Sequence, residues 1–198
     1  MGRISKLEAV NRMLRAASER PVSTLEADGV NDTDLAVSVL EEVLVEVLTN
    51  GLNCNTEKMT LTPTSDGQII VSDNFLSIDT TGKDRHKNVV VRGDTLYDLD
   101  NQTDEFEDSL EVIVRRYIDY EDLPTGIQIF IRDIAARRYQ QESLGDRSID
   151  AQLAEIELRS RALGHSEDAR SKDRHYLDGG SYVSRRIIYR KPGMWRWS

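Results

Sequence analysis

The stretch from Thr33 to Asn50, TDLAVSVLEEVLVEVLTN, constrains the fold more than any other part of the chain. Its unbroken length and the absence of polar–apolar alternation favour a helix over a strand, despite five valines. Eight apolar residues recur at helical spacing and fill more than half of the circumference: Leu35, Ala36, Val39, Leu40, Val43, Leu44, Val47 and Leu48. Such a broad face predicts a helix at the centre of a bundle, or one covered by the bundle on one side and by a neighbouring subunit on the other.

Length and charge narrow the class of protein. The 198 residues suit one domain or a domain with an insertion, and the net charge of −9 argues against attraction to nucleic acid or anionic lipid. The single cysteine, Cys54, excludes an internal disulfide framework. No apolar run approaches the ~18 residues of a membrane span, and the first ten residues lack the apolar segment of a secretory signal. We therefore expect a soluble protein made in the cytoplasm, with no membrane partner.

Helical periodicity also flanks the central stretch. Ser5 to Glu19 predicts a first helix, in which Ser5 and Glu8 form a capping box. Another helix is predicted after Pro124 and up to about Leu144, and residues 150–174 predict a long, highly charged one. The apolar stripe of this last helix is thin, which is typical of a helix at an edge or one that reaches away from the body. The stripe consists of Leu153, Ile156, Ala162 and Leu163.

Between residues 52 and 119 the pattern changes to short apolar runs separated by turn residues. Extended segments are predicted at 52–57, 59–62, 68–72 and 110–117. The sequence Arg92-Gly93-Asp94-Thr95 predicts a hairpin, and residues 100–108 predict an acidic loop. This region is therefore predicted to be a small antiparallel β insertion.

Together these patterns predict an α+β fold. A helical bundle of residues 4–50 and 124–175 carries the β insertion at 52–119, and residues 176–198 form an extended C-terminal docking arm. The last 20 residues contain five basic residues, no acid and both tryptophans, a composition expected of a segment that docks onto another protein. Binding to nucleic acid or to a membrane surface is the alternative role for this segment.

No metal, nucleotide or nucleophile site is predicted. His86, His165 and His175 are scattered along the chain, and two ligands on one helical face do not make a metal site. Residues 82–84 lack the Ser or Thr that follows the lysine of a phosphate-binding loop. Cys54 has no paired base in the sequence. We therefore expect no cofactor.

Acidic residues leave one enzymatic alternative open. Asp119, Glu121 and Asp122, or the acids between Asp104 and Asp108, could supply the general acid and base for glycoside cleavage. The separation of two carboxylates cannot be read from their spacing in the sequence, and acidic loops are more often solvated faces.

Several segments resemble one known family, in register. They are Val10-Asn11 and Leu14, Pro21-Val22-Ser23-Thr24-Leu25-Glu26, Asn50-Gly51, Asn55-Thr56-Glu57, Asp73 and Leu76, the hairpin at 92–98, Phe106, Leu123-Pro124 and Ala135-Ala136. Over residues 7–145 the chain resembles tail tubular protein A, the head-to-tail adaptor of short-tailed phages. It departs from the family at Leu52, where Trp is frequent, and residues 180–198 align with nothing in the family.

The resemblance implies a structural, non-enzymatic protein of the virion tail. Adaptors of this family form a dodecameric ring below the portal protein, hold the nozzle protein (tail tubular protein B) and help to seat the tail fibres. Genomic DNA passes through the lumen without sequence-specific binding. A tail-associated glycan hydrolase, or a nucleic-acid or membrane-binding module, would be the alternative.

The ring implies two sets of contact residues. For self-association we expect Val37, Glu41 and Val45 on the central helix and Arg92 and Tyr97 on the hairpin. Glu41, Glu42 and Glu46 are expected to face either the lumen or an adjoining helix. For portal docking we expect residues of the basic arm, namely Arg185, Arg186, Ile187, Ile188, Tyr189, Arg190, Trp195 and Trp197.

Overall fold

The computed structural model describes residues 3–26 and 31–176, which contain four helices and five strands and confirm the α+β class. The helices are α1 (Lys6–Ala16), α2 (Asn31–Asn50), α3 (Thr125–Ser143) and α4 (Arg147–Tyr176). The strands are β1 (Thr56–Leu61), β2 (Phe75–Thr80), β3 (Val89–Arg92), β4 (Thr95–Asp98) and β5 (Leu110–Arg116). Short 3₁₀ turns lie at Gly82–Asp84 and Tyr120–Asp122. Within these ranges, no helix has the length and apolarity needed to cross a bilayer.

The centre of the helical part is α3 and not α2. α3 packs against α1, α2 and α4, whereas α4 packs mainly against α3. Ile127, Ile131 and Tyr139 of α3 are fully buried in the main hydrophobic core. α2 contributes Leu40, Leu44 and others to the same core but keeps its opposite side exposed. The broad apolar face of α2 is therefore covered by the bundle on one side only.

Local hydrogen bonds fix where the outer helices begin and end. The predicted capping box is confirmed, because the Glu8 amide donates to the Ser5 hydroxyl and the Ser5 amide donates to the Glu8 carboxylate. α1 ends before the predicted Glu19 because Ser18 adopts a left-handed conformation with φ 64°. α4 begins three residues before the predicted Asp150, because the Asp146 carboxylate accepts the amides of the first turn.

The β region is built around its last strand. β5 lies between β1 and β2 in a three-stranded antiparallel sheet, and β3 and β4 form the predicted hairpin. Gly93 in the hairpin loop has φ 63°, a conformation that glycine adopts without strain. The buried side of β5, Leu96 of β4 and the loop before β2 form a second, smaller hydrophobic cluster, which also includes Ile69, Val71, Leu110, Val112 and Val114.

Two predicted extended segments are different in the structure. The prediction for 52–57 is wrong up to Asn55, because the Asn55 side chain holds a turn: its oxygen accepts the Leu52 amide, and its nitrogen donates to the carbonyls of Leu48 and Arg116. Residues 68–72 form isolated bridges to Thr95 and Glu105 and no regular strand. The strand β2 was not predicted.

The thin apolar stripe predicted on α4 is also only half correct. Leu153 is buried and Ile156 packs on the core, but Ala162 and Leu163 are exposed. The two helices approach closely at Gly164, where an added Cβ would lie 3.0 Å from the Cβ of Phe130. This close approach rotates α4 so that Gly164, and not its neighbour Leu163, faces α3.

Candidate assembly surfaces

One side of α2 forms a continuous exposed stripe. Leu35, Ser38, Glu42, Val45 and Thr49 recur at i, i+3, i+7, i+10 and i+14, and all five are exposed. Leu35 and Val45 each retain 39% of their accessible surface. α2 also carries five acidic residues and no basic one. We call these five residues the α2 outer stripe. Glu42 is its one acidic residue and it has no basic residue, so the stripe is partly apolar with a single negative charge, which is a composition suited to contact with another protein.

The structure separates the α2 residues predicted to self-associate. Val45 lies on the α2 outer stripe, whereas Val37 is half-buried against the core. Glu41 lies beside α1, where it accepts hydrogen bonds from Lys6 Nζ and, at 3.0 Å, from the Tyr117 hydroxyl. Burial, with this hydrogen bond to Glu41, raises the pKa of Tyr117 to about 12. Glu41 therefore holds α1, α2 and the end of the sheet together within one chain.

The other two glutamates of α2 differ from each other. Glu46 forms an ion pair with Arg138 of α3, with an N–O distance of 2.6 Å, so it faces an adjoining helix. Glu42 is exposed on the α2 outer stripe. Among the described residues, Glu42 is thus the one of these three glutamates without an ion pair or hydrogen bond that holds it inside the chain.

The hairpin brings its two predicted residues together. The Arg92 guanidinium lies 3.6 Å from the centroid of the Tyr97 ring, a cation–π contact. Ile70, which pairs with Thr95 of the same hairpin, is 52% exposed. Arginine, tyrosine and an exposed isoleucine are typical of contact surfaces between proteins. We call Ile70, Arg92 and Tyr97 the hairpin patch.

α4 presents large apolar residues to solvent, which the sequence patterns did not predict. Leu158 is 68% exposed and Leu163 is 48% exposed, and Leu158 is the most exposed leucine among the described residues. One sequence feature could have indicated this exposure: α4 contains leucines in addition to Leu153 and Ile156, which already occupy its inward positions.

Several carboxylates of α4 are engaged within the chain. Asp150 and Glu157 hold Arg137 of α3 at 2.7 and 3.1 Å. The contact with Arg137 lowers the pKa of Asp150 below its usual range. Glu167 accepts the Gly126 amide at the start of α3. These carboxylates bind α4 to the bundle and are not available for contacts elsewhere.

The candidate nucleophile and metal ligands have structural roles. Cys54 is half-buried, and burial together with the nearby Asp168 raises its pKa to about 11, so the thiolate is scarce at neutral pH. Asp168 itself accepts the Asn53 amide at 2.8 Å. The His165 ring lies against Phe130, with centroids 5.6 Å apart. Across residues 3–26 and 31–176, no group of three or more His, Cys, Asp or Glu side chains is placed to hold a metal ion.

The Gly82–Asp84 segment is a 3₁₀ turn and not a phosphate-binding loop. Asp84 is buried and accepts the Glu111 amide at 3.0 Å, which lowers its pKa. Lys87 pairs with the same carboxylate at 3.1 Å. The turn therefore anchors the sheet.

The acidic residues considered for glycoside cleavage also make internal contacts. Glu121 accepts the Lys6 amide at 2.9 Å, and Asp122 forms an ion pair with Arg3 at 3.1 Å. Asp119 precedes them at an exposed position. In the acidic loop, Asp104 accepts a hydrogen bond from Gln68 at 2.8 Å. Glu121 and Asp122 therefore hold the N-terminal segment close to the start of α3.

The residues predicted for portal docking lie outside the described part of the chain. They are Arg185, Arg186, Ile187, Ile188, Tyr189, Arg190, Trp195 and Trp197.

Comparison of the sequence with known proteins identifies the family of the chain. The sequence model of a family described as Tube, tail tubular protein, matches residues 7–174. Tail tubular protein A of Klebsiella phage KP34 is 28% identical over 167 residues, which cover 84% of this chain and 88% of that protein. The match to the family includes the whole β region and nearly all of the four helices. The chain belongs to the tail tubular protein family and is a structural protein of the phage virion tail.

Proposed function

We propose that this protein is a head-to-tail adaptor. In this proposal, copies of the chain form a dodecameric ring that joins the portal protein to the nozzle protein and lines the channel for DNA. The observation that carries the proposal is the family match over residues 7–174, which spans nearly the whole described body. The exposed apolar residues on α2, α4 and the hairpin support it, because a ring subunit needs several contact surfaces at once.

The charge of the body supports passage of DNA. The whole chain has a net charge of −9 and its last 20 residues contribute +5, so residues 1–178 carry −14. A channel wall of this sign repels the phosphate backbone and does not hold the moving strand. In the proposal, DNA passes without sequence-specific binding.

We assign the remaining surfaces by their chemistry. The basic arm with its two tryptophans docks on the portal protein, and the hairpin patch serves contacts with a neighbouring subunit, the nozzle protein or the tail fibres. The subunit is made in the host cytoplasm and joins the tail during assembly. Neither catalysis nor a cofactor has a place in this proposal. The alternative enzyme would use Asp119, Glu121 and Asp122, or the acids between Asp104 and Asp108. Of these, Glu121 and Asp122 are engaged with the N-terminal segment.

The test is a mixing experiment with the cognate portal ring. The full-length chain and a version ending at Asp178 are each added to the portal and examined by sedimentation and particle imaging. We expect the full-length chain to add a ring below the portal and the truncated chain to bind poorly. Failure of the full-length chain to bind would overturn the adaptor proposal. Equal binding of both versions would assign docking to the body and remove that role from the arm.

Two further assays test the alternative classes. Release of reducing sugar from host capsule or cell-wall glycan would support the enzyme, if it is lost in a Glu121→Ala variant. Salt-sensitive binding of DNA or anionic vesicles, lost on truncation at Asp178, would support a nucleic-acid or membrane module.

A further inference from the structure

The far side of α4 carries a second exposed stripe. Arg159, Leu163, Ser166 and Arg170 recur at i, i+4, i+7 and i+11, and all four are exposed. We call them the α4 outer stripe. Arg161 lines the groove between α4 and α2. Since each residue turns a helix by about 100°, Arg159 lies about 160° around the axis from Arg161. The α4 outer stripe therefore faces away from the α2 of its own chain.

The α4 outer stripe is basic and apolar. The carboxylates of Asp150, Glu157 and Glu167 are bound by Arg137 or by the Gly126 amide on the inward side of the helix. The α4 outer stripe itself contains two arginines and no acid. Glu155 forms an exposed i, i+4 pair with Arg159, and pairs of this kind contribute little. Leu158 is the most exposed large apolar side chain of the described residues, but it lies about 100° around the helix axis from Arg159 and is not part of the stripe.

The two outer stripes complement each other in charge, in apolar surface and in length. The α2 outer stripe has Glu42 and no base, and it exposes Leu35 and Val45. The α4 outer stripe has two arginines and exposes Leu163. At a rise of 1.5 Å per residue, the stripes are about 21 Å and about 17 Å long. Two helices of this length can pack side by side along their whole exposed stripes.

We propose that the α4 outer stripe of one copy packs against the α2 outer stripe of the next copy. The occupant of each stripe is thus a second copy of this chain, chosen because one stripe supplies the charge that the other lacks. The contact joins two different surfaces, so it is head-to-tail and closes into a ring when the rotation per subunit permits. This inference rests on the ring of the proposed function and names the surfaces that build it.

Charge reversal tests the contact directly. One variant carries Ser38→Arg and Glu42→Arg on α2, and the other carries Arg159→Glu and Arg170→Glu on α4. We expect each variant alone to need at least a tenfold higher protein concentration than the native chain to form rings on the portal, because like charges then meet across every contact. A Glu142→Arg variant, changed at an exposed position at the end of α3, is the matched control and should assemble as the native chain does.

Mixing the two reversed variants gives the decisive result. In an alternating ring, the reversed α2 stripe of one variant meets the reversed α4 stripe of the other, and the native stripes meet at the next contact. We therefore expect a 1:1 mixture to restore rings that contain equal numbers of both variants, counted by native mass spectrometry. Circular dichroism and melting first establish that each variant folds.

The outcomes separate this inference from the adaptor proposal. If the native chain forms no ring on the portal, the adaptor proposal fails. If native rings form but both reversed variants assemble equally well, or their mixture stays dispersed, the proposed contact is wrong. Normal rings that no longer bind the nozzle protein would assign the stripes to that partner instead, and would also overturn the contact proposed here.

Cross-linking gives an independent measurement. A chain with Val45→Cys and Leu163→Cys is treated on the portal with a flexible bismaleimide, and each single variant is the control. Cys54 is half-buried with a raised pKa, so it reacts slowly at neutral pH. We expect a ladder of covalent oligomers from the double variant and none beyond a dimer from either single one. Absence of the ladder from assembled rings would contradict the contact.

Discussion

α2 and α3 show how misleading the polarity of a helix can be about its burial. Half of the residues of α2 are apolar, yet α2 lies at the side of the bundle with an exposed stripe. α3 contains polar residues at regular intervals, yet Gln128, Asp133 and Gln140 are buried along with its apolar residues. The difference is that most of these polar groups have partners inside the chain. Gln128 binds backbone groups, Asp133 pairs with Arg132, and the Gln140 side-chain nitrogen donates to the Asp146 carbonyl. The Gln140 side-chain oxygen has no partner among the described residues. An apolar helix with an open side therefore points to a missing neighbour, whereas a polar helix at the centre points to an internal hydrogen-bond network.

The largest expected effect comes from the apolar centre of α3. Ile131 is fully buried, so Ile131→Ala leaves a cavity and should lower the free energy of unfolding by about 2–5 kcal/mol. Urea unfolding followed by circular dichroism measures the change. The matched control is Val45→Ala on the α2 outer stripe, which should change it by less than about 0.5 kcal/mol. Equal losses from both variants would remove the distinction between the two helices.

Replacing the buried glutamine of α3 should lower the free energy of unfolding nearly as much as truncating an apolar core residue. The Gln128 side chain accepts the Ile4 amide at 3.1 Å and donates to the Tyr120 carbonyl at 2.8 Å. Gln128→Leu leaves both backbone groups without these partners, and we expect a loss of about 2–4 kcal/mol.

Exposed Gln141, also on α3, provides the control for the buried glutamine. Gln141→Leu removes only an exposed hydrogen bond to Asp150, so it should cost less than about 1 kcal/mol in the same unfolding measurement. If Gln128→Leu were as stable as the native chain, the internal hydrogen bonds would not explain why a polar residue lies at the centre of the bundle.

These helices also show which parts of the fold the sequence can predict. The capping box of α1 and the inward face of α2 follow from residues three or four positions apart, so periodicity and spacing revealed them. The burial of Gln128 depends on Ile4, which is 124 positions away. The Asn55 turn depends equally on a distant partner, the Arg116 carbonyl. Contacts of this range leave no local pattern.

The same limit applies to the candidate surfaces. The sequence predicts Val45 at a self-association surface, and its exposed position on α2 follows from helical spacing alone. Glu41 was expected at the same surface, but its partner Tyr117 lies 76 positions away and draws it inward. Periodicity assigns Leu163 to the inward face of α4 and so does not reveal the α4 outer stripe. In the structure, Gly164 is the residue that closely approaches Phe130, and Leu163 is exposed. The self-association and portal residues stay predictions until the assemblies are measured.

A smaller, pH-dependent effect is expected where α2 contacts the end of the sheet. The pKa of Tyr117 is about 12 in the folded chain, against about 10 in an unfolded one. Its contribution to stability is therefore complete below pH 10 and is lost as the pH rises from 10 to 12, because the unfolded chain releases the proton first. Tyr117→Phe should flatten the fall in stability over this range, measured by urea unfolding at several pH values.

The remaining tyrosines set the control for that measurement. Burial also raises the pKa of Tyr120 and of Tyr139, so some loss of stability above pH 10 should persist in the Tyr117→Phe variant. Below pH 9 the variant should be destabilised by about 0.5–1.5 kcal/mol, the value of one hydrogen bond. An unchanged slope between pH 10 and 12 would mean that burial and the hydrogen bond to Glu41 do not raise the pKa of Tyr117 in solution.

The smallest effect on stability is expected on the α2 outer stripe, and its smallness is informative. In the isolated chain Val45 is 39% exposed, so Val45→Ser should change the free energy of unfolding by less than about 0.5 kcal/mol. In a ring built through this stripe, the same variant should require a several-fold higher concentration to assemble on the portal, because an apolar contact is lost at every interface. A loss above about 1 kcal/mol in the isolated chain would mean that another part of the same chain covers Val45. The apolar excess of α2 would then be explained within one subunit, and it would no longer call for a neighbour.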